Sequence, residues 1–173
     1  MGFKKHLTPI LGILIILLGM HLRANAQEHE TAFADHHCLL NPNAFSLGLA
    51  SPYSFELERP GVNIRLDYHL TEKLNLGPEY SYFNNGDEEL WDADFVFQYI
   101  FETELIGIYP IAGVTYSEVV SPIREQDWGA KIGAGLHKNF KYLSAFIEYD
   151  HITGELEDDF ITLGVFYQFH FKL

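Results

Sequence analysis

Gly61-Val62-Asn63-Ile64-Arg65-Leu66-Asp67-Tyr68-His69-Leu70 alternates without a break: Val62, Ile64, Leu66, Tyr68 and Leu70 share one parity, and Asn63, Arg65, Asp67 and His69 the other. Side chains of an extended chain point to opposite faces in turn, so this stretch predicts a strand with one oily and one charged face. Thr71-Glu72-Lys73 interrupts it. The alternation then resumes, with Leu74, Leu76, Pro78, Tyr80 and Tyr82 against Asn75, Gly77, Glu79 and Ser81. Two such runs joined by a short polar break predict a hairpin. If Leu70 faces Leu74, Arg65 lies opposite Glu79, and neighbouring strands favour opposite charges there.

The same period recurs down the chain, and no segment after Ala44 carries a convincing helical repeat. Trp91, Ala93, Phe95, Phe97, Tyr99 and Phe101 oppose Asp92, Asp94, Val96 and Gln98. Leu105 to Tyr116 sets Ile106, Ile108, Pro110, Ala112 and Val114 against Gly107, Tyr109, Gly113 and Thr115. Two further runs put Trp128, Ala130, Ile132, Ala134 and Leu136 opposite Lys131 and His137, and Leu143, Ala145, Ile147 and Tyr149 opposite Ser144, Phe146, Glu148 and Asp150. The last run, Ile161 to Phe171, and a first strand near Ala44 to Ser51 complete an all-β reading: an eight-stranded antiparallel up-and-down transmembrane β-barrel.

Two further signals support a membrane. The connections alternate between tight turns (Thr71 to Lys73, Glu102 to Glu104, Lys138 to Lys141) and longer polar stretches (Pro52 to Pro60, Asn84 to Glu89, Ser117 to Asp127, Ile152 to Asp159), as in outer-membrane barrels with short periplasmic turns and longer external loops. The oily face also carries more bulk than eight strands could enclose, while the charged face is interleaved with glycines that suit a small lumen. Tyr68, Tyr80, Tyr82, Trp91, Tyr99, Phe101, Tyr116, Trp128, Tyr149 and Tyr167 would supply interfacial girdles. The alternative is a soluble periplasmic lipocalin-like carrier, which requires the opposite polarity and a cavity for its ligand.

The chain starts with Lys4 and Lys5, an apolar run from Ile10 to Met20, and Ala24-Asn25-Ala26, the pattern of a secretory signal peptide over residues 1–26. The apolar run is shorter than the ~20 residues of a membrane-spanning helix. Residues 27–43 are expected to form a periplasmic N-terminal segment, and 44–173 the barrel. The net charge of -13 would become more negative once Lys4, Lys5 and Arg23 are removed, which excludes a nucleic-acid partner. Cys38, the one cysteine, leaves no internal disulfide to form.

From about Ala44 to Leu173 the chain resembles the small outer-membrane barrels of the OmpA/OmpX type. The resemblance rests on Tyr109-Pro110-Ile111-Ala112-Gly113-Val114-Thr115-Tyr116, on the glycine-rich Trp128 to Gly135, and on the aromatic strand Val165 to Leu173. It implies residence in the bacterial outer membrane, contact with outer-membrane lipid and lipopolysaccharide, and delivery by the barrel-assembly machinery, which reads such C-terminal strands.

Candidate chemistry lies on the charged face. A second register, with His137 facing Tyr142, puts Lys131 opposite Glu148, so Arg65, Glu79, Lys131 and Glu148 are expected to form interior ion pairs. His36, His37, Cys38, His69, His137 and His170 could ligate a metal in principle, but their spacing fits no closed motif, and no cofactor is expected. His137, Glu148 and Ser144 invite comparison with outer-membrane enzymes that modify lipid A through a serine, a histidine and a carboxylate, although His137-Lys138-Asn139 lacks the serine expected two residues on. The favoured function is non-enzymatic: a barrel that anchors acidic surface loops such as Asp87-Glu88-Glu89 and Glu155 to Asp159, with a role in envelope integrity or surface interaction.

Overall fold

The computed structural model describes residues 40–84, 86, 88–103, 105–120, 124–140 and 143–169. The expected signal peptide, His36, His37, Cys38 and His170 lie outside them. The described residues form eight long antiparallel strands: β1 Phe45–Ser54, β2 Val62–His69, β3 Leu74–Asn84, β4 Glu89–Tyr99, β5 Gly107–Val119, β6 Glu125–Phe140, β7 Leu143–Ile152 and β8 Asp158–Phe169. Each pairs with its successor, and β8 returns to β1 from Phe45↔Phe169 to Ser54↔Phe160, closing an up-and-down barrel. Arg59–Pro60 and Phe101–Glu102 add short bridges to β1 and β5.

The hairpin of β2 and β3 has the register that its turn dictates, with Arg65↔Glu79 and His69↔Asn75. Thr71 Oγ1 accepts hydrogen bonds from the amides of Lys73 and Leu74, at 3.2 and 2.9 Å, and so fixes the turn. Between these pairs the ladder is interrupted at Leu66 and Asp67. Pro78 has no N–H to give there, and Gly77 lets the strands approach until a Cβ at that position would fall 2.8 Å from Asp67 Cα. The obstacle is backbone, so Gly77→Ala is expected to destabilise the barrel by roughly 1–3 kcal/mol, read as a lower urea midpoint in detergent. A wild-type midpoint would show that the interruption relaxes freely.

The hairpin of β6 and β7 differs from expectation. Its strands pair as far as Phe140↔Leu143, and Lys131 faces Ile152 while Glu148 faces Gly135. The charged stretch Lys138 to Lys141 read as a turn, but polar side chains at the water boundary do not stop a backbone from pairing. The external stretches behave likewise: β5 and β6 stay paired through Ser117↔Asp127 and Val119↔Glu125, and β3 and β4 through Asn84↔Glu89. Parts of what read as long loops are polar strand ends, leaving 55–61, 85–88, 120–124 and 153–157 between the long strands.

The faces sort by polarity as the alternation requires. Phe97, Leu163 and Trp128 are 48, 58 and 70% exposed on the outside, whereas Arg65 and Glu148 are 3 and 2% exposed in the lumen. Outward rings gather at two levels. Tyr80, Trp91, Tyr116 and Trp128 follow one another around the barrel at centroid distances of 6.1, 5.4 and 5.1 Å. Near the end that holds Leu40 and Phe169, the first and last described residues, lie Phe45–Tyr68, Tyr99–Phe101 and Tyr167–Phe169, at 4.9, 5.1 and 4.8 Å. Two aromatic levels bounding an apolar band, in which Phe95 and Phe97 join the aliphatic side chains, are the pattern of a barrel surface fitted to a bilayer.

The lumen has three tiers. Toward the Phe169 end, Leu40, Val96, Ile100, Ile111, Phe146 and Phe166 pack with Tyr109 into an apolar plug. At the other end Phe83, Leu90, Ile152 and Phe160 form a second plug, with Leu57 and Val119 against it. Charged groups occupy the space between.

Candidate functional site

Inward positions of neighbouring strands build the charged tier. Arg65 on β2 stands beside Glu79 on β3, and Glu79 beside Asp94 on β4. Lys131 on β6 and Glu148 on β7 approach from the opposite wall. Arg65 reaches across the lumen and grips Glu148 with both guanidinium nitrogens, Nη1 to Oε1 at 2.8 Å and Nη2 to Oε2 at 2.6 Å. The same Nη1 lies 3.2 Å from Glu79 Oε1. Lys131 Nζ donates to Glu79 Oε2 at 3.0 Å and to Asp94 Oδ2 at 2.8 Å. The result is a chain of alternating sign: Asp94, Lys131, Glu79, Arg65, Glu148.

Desolvated charges persist when paired and hydrogen-bonded, and this chain is braced on both counts. Tyr109 and Gln98 donate to Glu148 Oε1 at 2.9 and 3.2 Å. The guanidinium carbon of Arg65 lies 4.3 Å from the centroid of the Phe146 ring, where the ring quadrupole favours a cation. Gly48 leaves the space that the Arg65 side chain crosses, because a Cβ there would stand 2.9 Å from its Cδ. The four residues singled out in the sequence thus share one network, but Lys131 does not pair with Glu148. Its partners are Glu79, across the lumen, and Asp94.

The histidines are separate from one another in role. His69 is buried, with Nε2 3.1 Å from Ser46 Oγ and Nδ1 3.2 Å from the Asn41 carbonyl. His137 packs in the plug that holds Leu40, its ring 5.4 Å from that of Tyr109 and 6.1 Å from that of Phe166. Among the described residues no three His, Cys, Asp or Glu side chains converge as a metal site. Of the three residues compared with such a relay, Glu148 is held by Arg65, Tyr109 and Gln98, and Ser144 Oγ donates to Asn139 Oδ1 at 2.5 Å. Ser46 and His69 are in contact, but both are sealed from solvent, at 1 and 0% exposure.

The interior void bounded by Asn63, Ser81, Asp92, Asp94 and Lys131 has a volume of only ≈ 10 Å3 for the centre of a water-sized sphere, about one water. A carrier's ligand does not fit there. Arg65, Glu79, Lys131 and Glu148 all face the lumen, whereas the two plugs were not read from the sequence, because Val96 and Phe146 stood as exceptions on a polar face and Ile111 and Phe160 were assigned to neither face. Their signal was position: apolar inward residues cluster toward strand ends, with the charges between them.

Solved structures share this fold. The chain superposes on the N-terminal β-barrel domain of Pseudomonas aeruginosa OprF with a TM-score of 0.64 and 23% identity, covering 75% of this chain and 100% of that one. The fold is that of the small outer-membrane β-barrels. Ail, the attachment invasion locus protein of Yersinia pestis, matches at a TM-score of 0.52 and 16% identity over 73% of this chain and 97% of its own. The de novo designed barrel TMB2.3 matches at 0.54 and 17% over 75 and 97%. At these identities the likeness to outer-membrane barrels is one of fold. No protein-family model matches the chain, and no curated protein does.

Proposed function

We propose that the protein is a non-enzymatic barrel of the bacterial outer membrane that anchors acidic hairpin tips at the cell surface and contributes there to envelope integrity or surface interaction. The observation that carries this reading is the reversed polarity, an apolar band between two aromatic levels outside and a plugged, ion-paired lumen inside. Two apolar plugs close the charged tier among the described residues, and the reading therefore puts function at the rim, where Glu56, Glu58, Glu88, Glu155 and Glu157 gather on the connections. The partners this implies are outer-membrane lipid and lipopolysaccharide. Removal of residues 1–26 and handling of the last strand by the barrel-assembly machinery belong to the same reading.

The expected result in washed membranes is a band that migrates differently before and after boiling and that external protease cuts only at an epitope inserted in 153–157. In a deletion strain, wild-type protein should restore resistance to detergent, whereas a barrel carrying Glu88→Gln, Glu155→Gln and Glu157→Gln should not. Full restoration by that variant would sink the role of the acidic tips, and recovery of the protein in the soluble periplasm would sink the membrane reading itself.

A further inference from the structure

The chain enters β1 through a short strap, 40–43, that carries no rung of the sheet, since the ladders of β1 with β8 and with β2 both begin at Phe45. Pro42 fixes its own φ, and Asn43 holds φ at 58°, in the left-handed region that asparagine tolerates better than most residues. The two residues form an elbow. Beyond it the strap turns back into the barrel, where Leu40, 2% exposed, joins the apolar plug of Ile100, Tyr109, Ile111 and Phe166.

The polar atoms of the strap hold to what lies around that mouth. Leu40 N–H donates to the Glu72 carbonyl at 3.0 Å, and Asn43 N–H to the His69 carbonyl at 2.8 Å. Asn41 Nδ2 donates to Gln168 Oε1 at 2.9 Å, and Tyr68 Oη to Asn43 Oδ1 at 3.2 Å. The Asn41 carbonyl lies 3.2 Å from His69 Nδ1. A carbonyl only accepts, so that ring nitrogen carries the hydrogen, and in the neutral ring Nε2 accepts from Ser46 Oγ, 3.1 Å away. His69 is 0% exposed. Each bond that the strap makes joins groups that water can satisfy as well, and none of them belongs to a strand pairing. The bond from His69 N–H to the Ala44 carbonyl, 2.9 Å, lies past the elbow and stays with the barrel.

We propose that 40–43 is a detachable stopper: Leu40 swings out about the Pro42–Asn43 elbow while the eight strands stay paired, and the mouth it leaves admits water and small solutes to His69. A cooperative barrel and a separately opening cover then coexist in one chain, because local opening follows the few contacts of the segment that opens.

The test treats the full chain, refolded in detergent micelles, with diethyl pyrocarbonate, which acylates imidazole nitrogens within reach of water, and follows each histidine by peptide mass. His151, at the other end of the barrel with its side chain 39% exposed, is the internal reference. In the wild type His69 should react more slowly than His151, without loss of the band that shifts on boiling. Leu40→Asp should speed the reaction of His69 by about ten-fold or more, the factor set by the burial of one leucine, and leave His151 unchanged. Asn43→Pro keeps Leu40 but removes the N–H bonded to His69 and cannot hold the elbow's φ, so it should speed His69 as well. His69 reacting as fast as His151 in the wild type overturns the proposal, as does an unchanged His69 rate in either variant that keeps the shifting band. Should Leu40→Asp fail to fold, Asn43→Pro decides, and loss of the band in both variants overturns the proposal too, because the strap is then part of the barrel's framework.

Discussion

Arg65→Ala is expected to cost the barrel about 3–5 kcal/mol, a loss large enough to lower the yield of folded protein as well as its urea midpoint. The substitution leaves Glu148 and one side of Glu79 without their cation at 2 and 4% exposure, and empties the volume over the Phe146 ring. The stranded carboxylates account for most of the penalty, so Arg65→Ala combined with Glu148→Gln should recover part of it. Urea titrations of the refolded barrel, followed through Trp91 and Trp128, give both values. A single variant within about 1 kcal/mol of wild type, the range of solvated surface pairs, would mean that water reaches the network.

Leu163→Arg is expected to destabilise the barrel by about 2–4 kcal/mol in a lipid bilayer, the range for a cation near the midplane of a barrel's outer face. Leu163 lies on β8 between Ser51 and Ile147, well inside the two aromatic levels. On a water-soluble protein a residue 58% exposed would accept arginine within about 0.5 kcal/mol. Folding into vesicles with Leu163→Arg, set beside Glu125→Arg at the rim, therefore reads the polarity of the surroundings directly. Equal stabilities for the two variants would place Leu163 in water.

The alternation from Val62 to Leu70 made the faces, the strand order and the first hairpin legible in the sequence, because a period of two assigns each side chain to a wall and Thr71 fixes one register. The register of β6 with β7 was not legible. The expected and observed pairings differ by four positions, and any even slip leaves each side chain on its own face, so polarity alone cannot detect it. Only turn length decides the register, and Lys138 to Phe140, which read as turn, belong to the strand. Contacts across the lumen, such as Arg65 with Glu148, were out of reach for a different reason. Adjacency on a sheet names neighbours, whereas opposite walls meet only once strand tilt and barrel radius are fixed.

The join between β1 and β8 brings together the two ends of the described chain. Every other pairing of the long strands links consecutive strands, and without this one the molecule is an open ribbon whose two margins carry rows of unsatisfied amides and carbonyls, ready templates for foreign strands. Entropy sets only a modest toll on bringing distant ends together, since it grows with the logarithm of their separation. The larger hazard is kinetic. As long as that join stays open, both margins are free to pair with foreign strands.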